Sequence, residues 1–373
     1  MIYTHALIMS AVIFYSVKLY FFINQEKRKM KLKTISAFMF GLSAIASFNS
    51  FADINYELQP GINKVNFLSE NTRVSGNLFL PKDFNPAKKY PAIVVITPAS
   101  GVKEQTAGIY AKKMAEKGYV TLAFDHRTYG ESGGMPRGME NAPMKVEDIK
   151  NAISFIRSIP GVDDERVAEL GLCSGAGYGL QTAYQDSRVK SLAVVSAFID
   201  FTDYGMGGAT QYANMLNGSP VKQYQQQIKW ASDARQKYFE TGEVLYVDGI
   251  PAAGSGLGEF WDQAADYYRN SKRGGAVATY TPKRAAISLD SRYAFNPTEH
   301  IELLEGKPFM AIIGSEALSA PFSKIAVERA KQKKIDATLF TIKGAGHFDL
   351  YDQDKYVNQA VIKLDEFYKK TIF

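Results

Sequence analysis

The sequence predicts an α/β fold, with one mainly parallel, twisted sheet, helices on both of its faces and an inserted, mostly helical cap. Three observations predict it. Continuous apolar runs such as 90–97 (YPAIVVIT) suit strands buried on both faces. These runs alternate with amphipathic stretches of helical period, the pattern of βαβ units. The alternation stops after Phe198 and resumes at Pro308, and an interval that long inside a compact domain is an inserted module rather than a loop.

In chain order, residues 1–52 read as a leader. Met30, Lys31 and Lys33 supply a positive start, 35–46 an apolar stretch, and Ser50-Phe51-Ala52 a small-x-small cleavage site, so 30–52 has the form of a secretory signal peptide. Residues 1–29 form an upstream extension. Its apolar stretch 6–23 approaches the length of a membrane anchor if the leader is retained. Export, to the periplasm or beyond, is the expected localisation. The leader carries a net +5 of the chain's formal +6, so 53–373 has about +1 and no global pull toward nucleic acid.

A first part of the core spans 53–198. An entry hairpin is expected from 64–69 and 73–80, separated by the turn-prone Glu70-Asn71. Strand 90–97, helix 103–117, strand 119–125 and helix 144–159 follow, the last stopped by Pro160-Gly161. Strand 166–172, helix 176–185 and strand 189–198 continue the alternation. The cap is 199–307, with helices expected near 224–238 and 259–270. Strand 308–314, helix 322–334, strand 337–343 and helix 356–370 complete the core over 308–373.

The junction between strand 166–172 and helix 176–185 reads Gly171-Leu172-Cys173-Ser174-Gly175. A small-x-nucleophile-x-small pattern between strand and helix is what a nucleophile elbow requires, because the sharp turn crowds the backbone two residues to either side. That register puts Cys173 at the tip. The register with Ser174 at the tip would place bulky Leu172 where a small residue is needed. Cys173 is also the single cysteine of the chain, so it cannot form an internal disulfide, and a lone thiol in an exported protein is either catalytic or buried and inert.

Of four histidines, His5 lies in the leader, His126 after a strand and His300 in the cap, whereas His347 follows the last strand and precedes the last helix. That is the chain position of the general base in a strand-elbow-helix enzyme. An oxyanion hole needs two backbone N–H groups. Ser174, next to the elbow at a helix start, supplies one, and Ala99 the other, with Ser100 second, since Pro98 has no N–H.

Four stretches, TPASGVKEQ at 97–105, FDHRTYGESGG at 124–134, GLCSGAGY at 171–178 and GHFDLYD at 346–352, resemble a dienelactone-hydrolase-like subgroup of the α/β-hydrolases that includes polyketide transferases and thiohydrolases. The resemblance covers about 60–373 and implies an α/β-hydrolase fold, Cys173 and His347 as the reacting pair, and an ester or thioester substrate. Two departures stand out. Thr97 replaces a usual His, and Leu318 stands where the subgroup tends to carry an acid. Glu316 is then the first candidate to orient His347 and Asp200 the second. A thiol depends less on that third group, being partly ionised near neutral pH.

The remaining features read as structure. The 125–132 stretch is expected to be a bracing loop with Asp125 and Arg127, and Lys103-Glu104 a helix start. Neither glycine-rich segment, 175–179 nor 254–258, has dinucleotide-binding spacing, no cluster suggests a metal, and no cofactor is expected. The cap aromatics Trp230, Phe260, Trp261 and Tyr267, with Tyr238 and Tyr268, are expected to build an apolar acyl pocket. The resulting expectation is an exported esterase or thioesterase working through Cys173, His347 and an acyl-enzyme on a small-molecule substrate. The alternative is a binding protein on the same fold that has lost its acid.

Overall fold

The computed structural model describes residues 57–200 and 220–373. The expected leader and cap residues 201–219 lie outside them. The chain enters through an antiparallel hairpin of β1 (Gly61–Ser69) and β2 (Thr72–Leu80). Its turn residues Glu70 and Asn71 have φ of 45° and 65°, the left-handed geometry whose twist matches the strands it joins.

Next come β3 (Tyr90–Ile96), α1 (Thr106–Ala115), β4 (Val120–Phe124), α2 (Ala142–Arg157), β5 (Val162–Leu172), α3 (Gly175–Gln185) and β6 (Val189–Val195). In β3, Ala92, Val94 and Ile96 enter one apolar cluster, while Ile93 and Val95 enter the other. The period of two therefore serves two buried faces, and each fully buried Val or Ile contributes about 1.5–3 kcal/mol relative to exposure. Helix α2 begins where the Asn141 side chain accepts a 2.9 Å hydrogen bond from the Met144 N–H, with Pro143 in the first turn.

The chain then leaves the sheet. The described cap residues form α4 (Pro220–Thr241), β7 (Tyr246–Asp248), α5 (Glu259–Arg269), β8 (Lys283–Ala285) and α6 (Leu289–Tyr293), with β7 and β8 paired antiparallel. It returns through β9 (Phe309–Gly314), α7 (Ala320–Gln332), β10 (Ala337–Ile342), α8 (Asp349–Asp352) and α9 (Asp354–Thr371). The eight strands of the main sheet run in the order β1-β2-β4-β3-β5-β6-β9-β10. Only the β1/β2 and β2/β4 pairs are antiparallel.

One expected boundary is corrected. Helix α1 starts at Thr106, three residues after the expected start, because Lys103 is committed elsewhere. Its ammonium is fully buried and pairs with Asp125 at 2.8 Å and with Glu104 and Glu131 at 2.7 Å each. Its N–H donates to Asp125 Oδ1 at 2.7 Å. Burial opposes the Lys103 charge, but the Asp125 carboxylate outweighs it and holds the ammonium protonated. A buried pair of this kind ties the loop after β3 to the loop after β4.

Candidate active site

The site lies where β3, β5, β6 and β9 end. Cys173 joins β5 to α3 with φ 51°, a left-handed conformation that a non-glycine residue takes at a cost of order 1–3 kcal/mol. Ser174 has ordinary helical angles, φ −65° and ψ −24°. The flanking glycines are sterically required. A Cβ on Gly171 would lie 2.6 Å from Ala176 Cα, and one on Gly175 would lie 2.6 Å from the Ile96 carbonyl oxygen. Hydrogen bonds from the Cys173 N–H to the Val195 carbonyl (3.1 Å) and from the Phe198 N–H to the Cys173 carbonyl (2.9 Å) fasten the turn to the end of β6. Strain at the tip is thus held by the sheet around it.

His347 lies in the loop between β10 and α8, fully buried. Gly314 lets that loop approach β9, since a Cβ there would meet the Ala345 carbonyl oxygen at 2.0 Å. The Ser196 hydroxyl donates to the His347 carbonyl at 3.0 Å. The imidazole Nδ1 is 2.5 Å from Ser319 Oγ, and Nε2 is 3.1 Å from the Tyr351 hydroxyl. Tyr351 lines the same cavity as Cys173, whose Sγ is 3.8 Å from the Ser174 hydroxyl. Aromatic rings of Phe260, Phe348 and Tyr351 pack around the imidazole with centroids 5.1, 4.5 and 5.3 Å away. Burial, with no carboxylate to offset it, pushes the His347 pKa down to about 3.

Cys173, Ser174 and Ala99 open on one cavity of about 40 Å³, space for a few waters. Phe198, Ile250, Phe260, Trp261, Tyr268 and Phe348 supply most of its apolar wall, and Tyr351 and Arg284 its polar side. A larger hollow of about 680 Å³ is lined by residues of β1, β2 and α1. None of its walls carries a residue of this constellation, so the smaller cavity is the one that matters for chemistry.

Residues 70–277 match the family model described as X-Pro dipeptidyl-peptidase (S15 family). The chain belongs to the S15 family. This S15 chain is 33% identical over 315 residues to Uncharacterized protein YcjY of Escherichia coli (strain K12), covering 83% of this chain and 99% of that one. It is 25% identical over 274 residues to a protein named Thiohydrolase from Eupenicillium brefeldianum, covering 73% and 84%. Among solved structures, the hypothetical protein PA2218 from Pseudomonas aeruginosa superposes with a TM-score of 0.73 at 28% identity, covering 86% of this chain and 97% of that one. The S15 chain has the α/β-hydrolase fold and is a hydrolase.

Several expected site residues lie elsewhere in this S15 chain. Glu316 is exposed and accepts a 2.8 Å hydrogen bond from Ser315 Oγ, while Nδ1 of His347 meets the Ser319 hydroxyl. The turn after β9 directs Glu316 outward, and Ser319 at the N-terminus of α7 occupies the place an acid would fill. Asp200 is buried and accepts from Thr298 Oγ1 at 3.5 Å. Trp230 is 39% exposed on α4, and Tyr267 is fully buried with its hydroxyl accepting from the Thr106 N–H at 3.0 Å. Neither lines the cavity, whereas Phe260 and Trp261 do. Tyr351 was readable in principle, because a position four residues after His347 falls beside it once the segment turns helical. Ser319 and Arg284 carried no comparable signal.

Proposed function

We propose that this chain is an exported esterase or thioesterase that transfers the acyl group of a small substrate through Cys173. The observation that carries the reading is the conjunction at the elbow. The left-handed residue is the thiol, it faces the cavity, and Tyr351 on the wall of that cavity meets Nε2 of His347. Export rests on the signal-like segment 30–52.

With its proton on Nδ1, the His347 ring donates to Ser319 Oγ, and Nε2 accepts from the Tyr351 hydroxyl. The thiol proton passes toward Nε2, directly or through Tyr351. The thiolate attacks the acyl carbon, and a new S–C bond forms as the oxyanion takes N–H donors from Ser174 and Ala99. The C–O or C–S bond to the leaving group then breaks, and the imidazolium protonates that group. Water attacks the acyl-enzyme, gives its proton to His347, and regenerates the thiol with release of the acid. Ser319 orients the ring without charging it, a substitution that a thiol tolerates better than an alcohol would.

The test is turnover of short p-nitrophenyl esters and N-acetylcysteamine thioesters by the full chain beside Cys173→Ala and His347→Ala. Turnover that disappears in both supports the reading. Turnover that persists in Cys173→Ala refutes the thiol as nucleophile.

A further inference from the structure

Arg284 has no evident task in the reaction just described. It enters from cap strand β8, is only 5% exposed, and lines the same small cavity as Cys173. Its Nε has no hydrogen-bond partner. Among the described residues, no carboxylate oxygen comes within 4.0 Å of its guanidinium. A buried cation without a direct carboxylate contact is costly, even with Glu140 acting on it at a distance, and it cannot relieve that cost by losing its proton at any ordinary pH.

The nearest acid is already engaged. Glu140 is fully buried and accepts from Lys145 Nζ at 2.5 Å, from the Tyr178 hydroxyl at 2.7 Å and from the Ser100 N–H at 2.9 Å. Lys145 itself is fully buried over the rings of Tyr129 and Tyr178. Among the described residues, Lys145 offsets Glu140, which leaves the charge of Arg284 at the wall of a mostly apolar pocket. The Gly249 backbone packs against its far side, where a Cβ would come within 3.1 Å of Nη2. Glycine there leaves room for the guanidinium, since a side chain would crowd Nη2.

We infer that Arg284 is the seat of a carboxylate carried by the substrate, remote from the scissile carbonyl. The substrate class is a monoester or monothioester of a short dicarboxylic acid. The guanidinium fork matches a carboxylate bidentately, the apolar wall covers the connecting methylenes, and the small cavity limits their number. This inference rests on the acyl-transfer reading for its placement of the scissile carbonyl, but the binding it predicts does not need turnover.

Two measurements separate the two ideas. Calorimetric binding of monomethyl glutarate and of methyl pentanoate is compared in the full chain carrying Cys173→Ala, alone and combined with Arg284→Gln or Arg284→Lys. The carboxylate ligand is expected to bind about 10- to 100-fold more tightly than its neutral counterpart. That ratio falls to about one with Arg284→Gln and takes an intermediate value with Arg284→Lys, which keeps the charge and loses the fork. Near-UV circular dichroism of each variant establishes that it is folded. In the protein with its thiol, kcat/KM for glutaryl against pentanoyl N-acetylcysteamine should favour glutaryl by a similar factor, and Arg284→Gln should erase the preference. Equal binding of the two ligands, or a preference that survives Arg284→Gln, overturns the inference. A preserved binding preference without turnover of any thioester upholds Arg284 and refutes the acyl-transfer reading instead.

Discussion

Among the described residues two histidines are fully buried, and they show opposite environments. His126 has the partner usually looked for in a catalytic histidine: Nδ1 lies 3.3 Å from Asp148 Oδ2. Among the described residues His347 meets no carboxylate; its ring nitrogens meet the hydroxyls of Ser319 and Tyr351. Yet His347 meets Tyr351, which lines the cavity the thiol faces, and His126 follows β4 with its ring 4.8 Å from Phe124. Asp148 also binds the Arg127 side chain, the Arg127 N–H and the Ser69 hydroxyl. The acid-imidazole pair is therefore the hub of a structural network, and the hydroxyl-imidazole pair belongs to the site. An Asp-His contact does not by itself point to a catalytic base, and neither does a place after a parallel strand, which His126 also has. What sets His347 apart is its contact with Phe260, Phe348 and Tyr351, which line the elbow cavity.

The comparison can be tested from its largest expected effect downward. His347→Ala should lower ester or thioester turnover by roughly 10²–10⁴, far more than the loss of stability from the cavity it leaves, with a near-UV signature that shows the chain still folded. Asp148→Ala should do the reverse. It leaves the buried Arg127 guanidinium and His126 without their shared acid, so it should cost about 3–5 kcal/mol in denaturant unfolding, with kcat per folded molecule retained. A loss of kcat that exceeds the loss of folded protein would assign His126 to the chemistry after all.

Tyr351→Phe and Ser319→Ala come next. Each removes one hydroxyl from His347, and each should reduce kcat by about 10-fold or more, with KM nearly constant, because both act on orientation of the proton path. Ser319→Asp is the sharper variant. A carboxylate on Nδ1 should raise the imidazole pKa and shift the acid limb of the kcat/KM profile upward, an effect that a purely structural serine would not produce.

The smallest effect is on stability against pH. Burial holds the His347 pKa down at about 3 from an unfolded value of 6.5, so the neutral ring is favoured in the native state. That contribution is complete above pH 6.5 and is lost as pH falls toward 3. Between pH 7 and pH 5 the parent should lose about 2 kcal/mol more than His347→Gln, at roughly 1.4 kcal/mol per pH unit. His126 is also held down by burial, but it is present in both proteins and cancels. Parallel slopes would place His347 in contact with water.

Much of this fold was legible in the chain. The strands around the site declare themselves because burial on both faces demands unbroken apolar runs, as in Ile93 to Ile96. The elbow is legible because Gly171 and Gly175 answer a steric demand that no other residue meets. Less legible were choices that leave no periodic mark. A serine accepting the role of an acid at position 319 looks like any helix-start serine. Trp230 and Phe260 have the same aromatic signature in a cap helix, but one turns outward and the other covers His347. Arg284 lies in a three-residue strand, too short for any pattern, and its meaning depends on Glu140 being occupied from elsewhere.

The central claim is that acyl groups pass through Cys173. The most direct measurement is acid quenching of the full chain during turnover of p-nitrophenyl butyrate, followed by digestion and mass spectrometry of the peptide containing residues 171–175. The expected result is a butyryl adduct on Cys173, labile to hydroxylamine, with a burst of p-nitrophenol of matching amplitude. An adduct on Ser174, or steady turnover in Cys173→Ala with no adduct on this peptide, would contradict it.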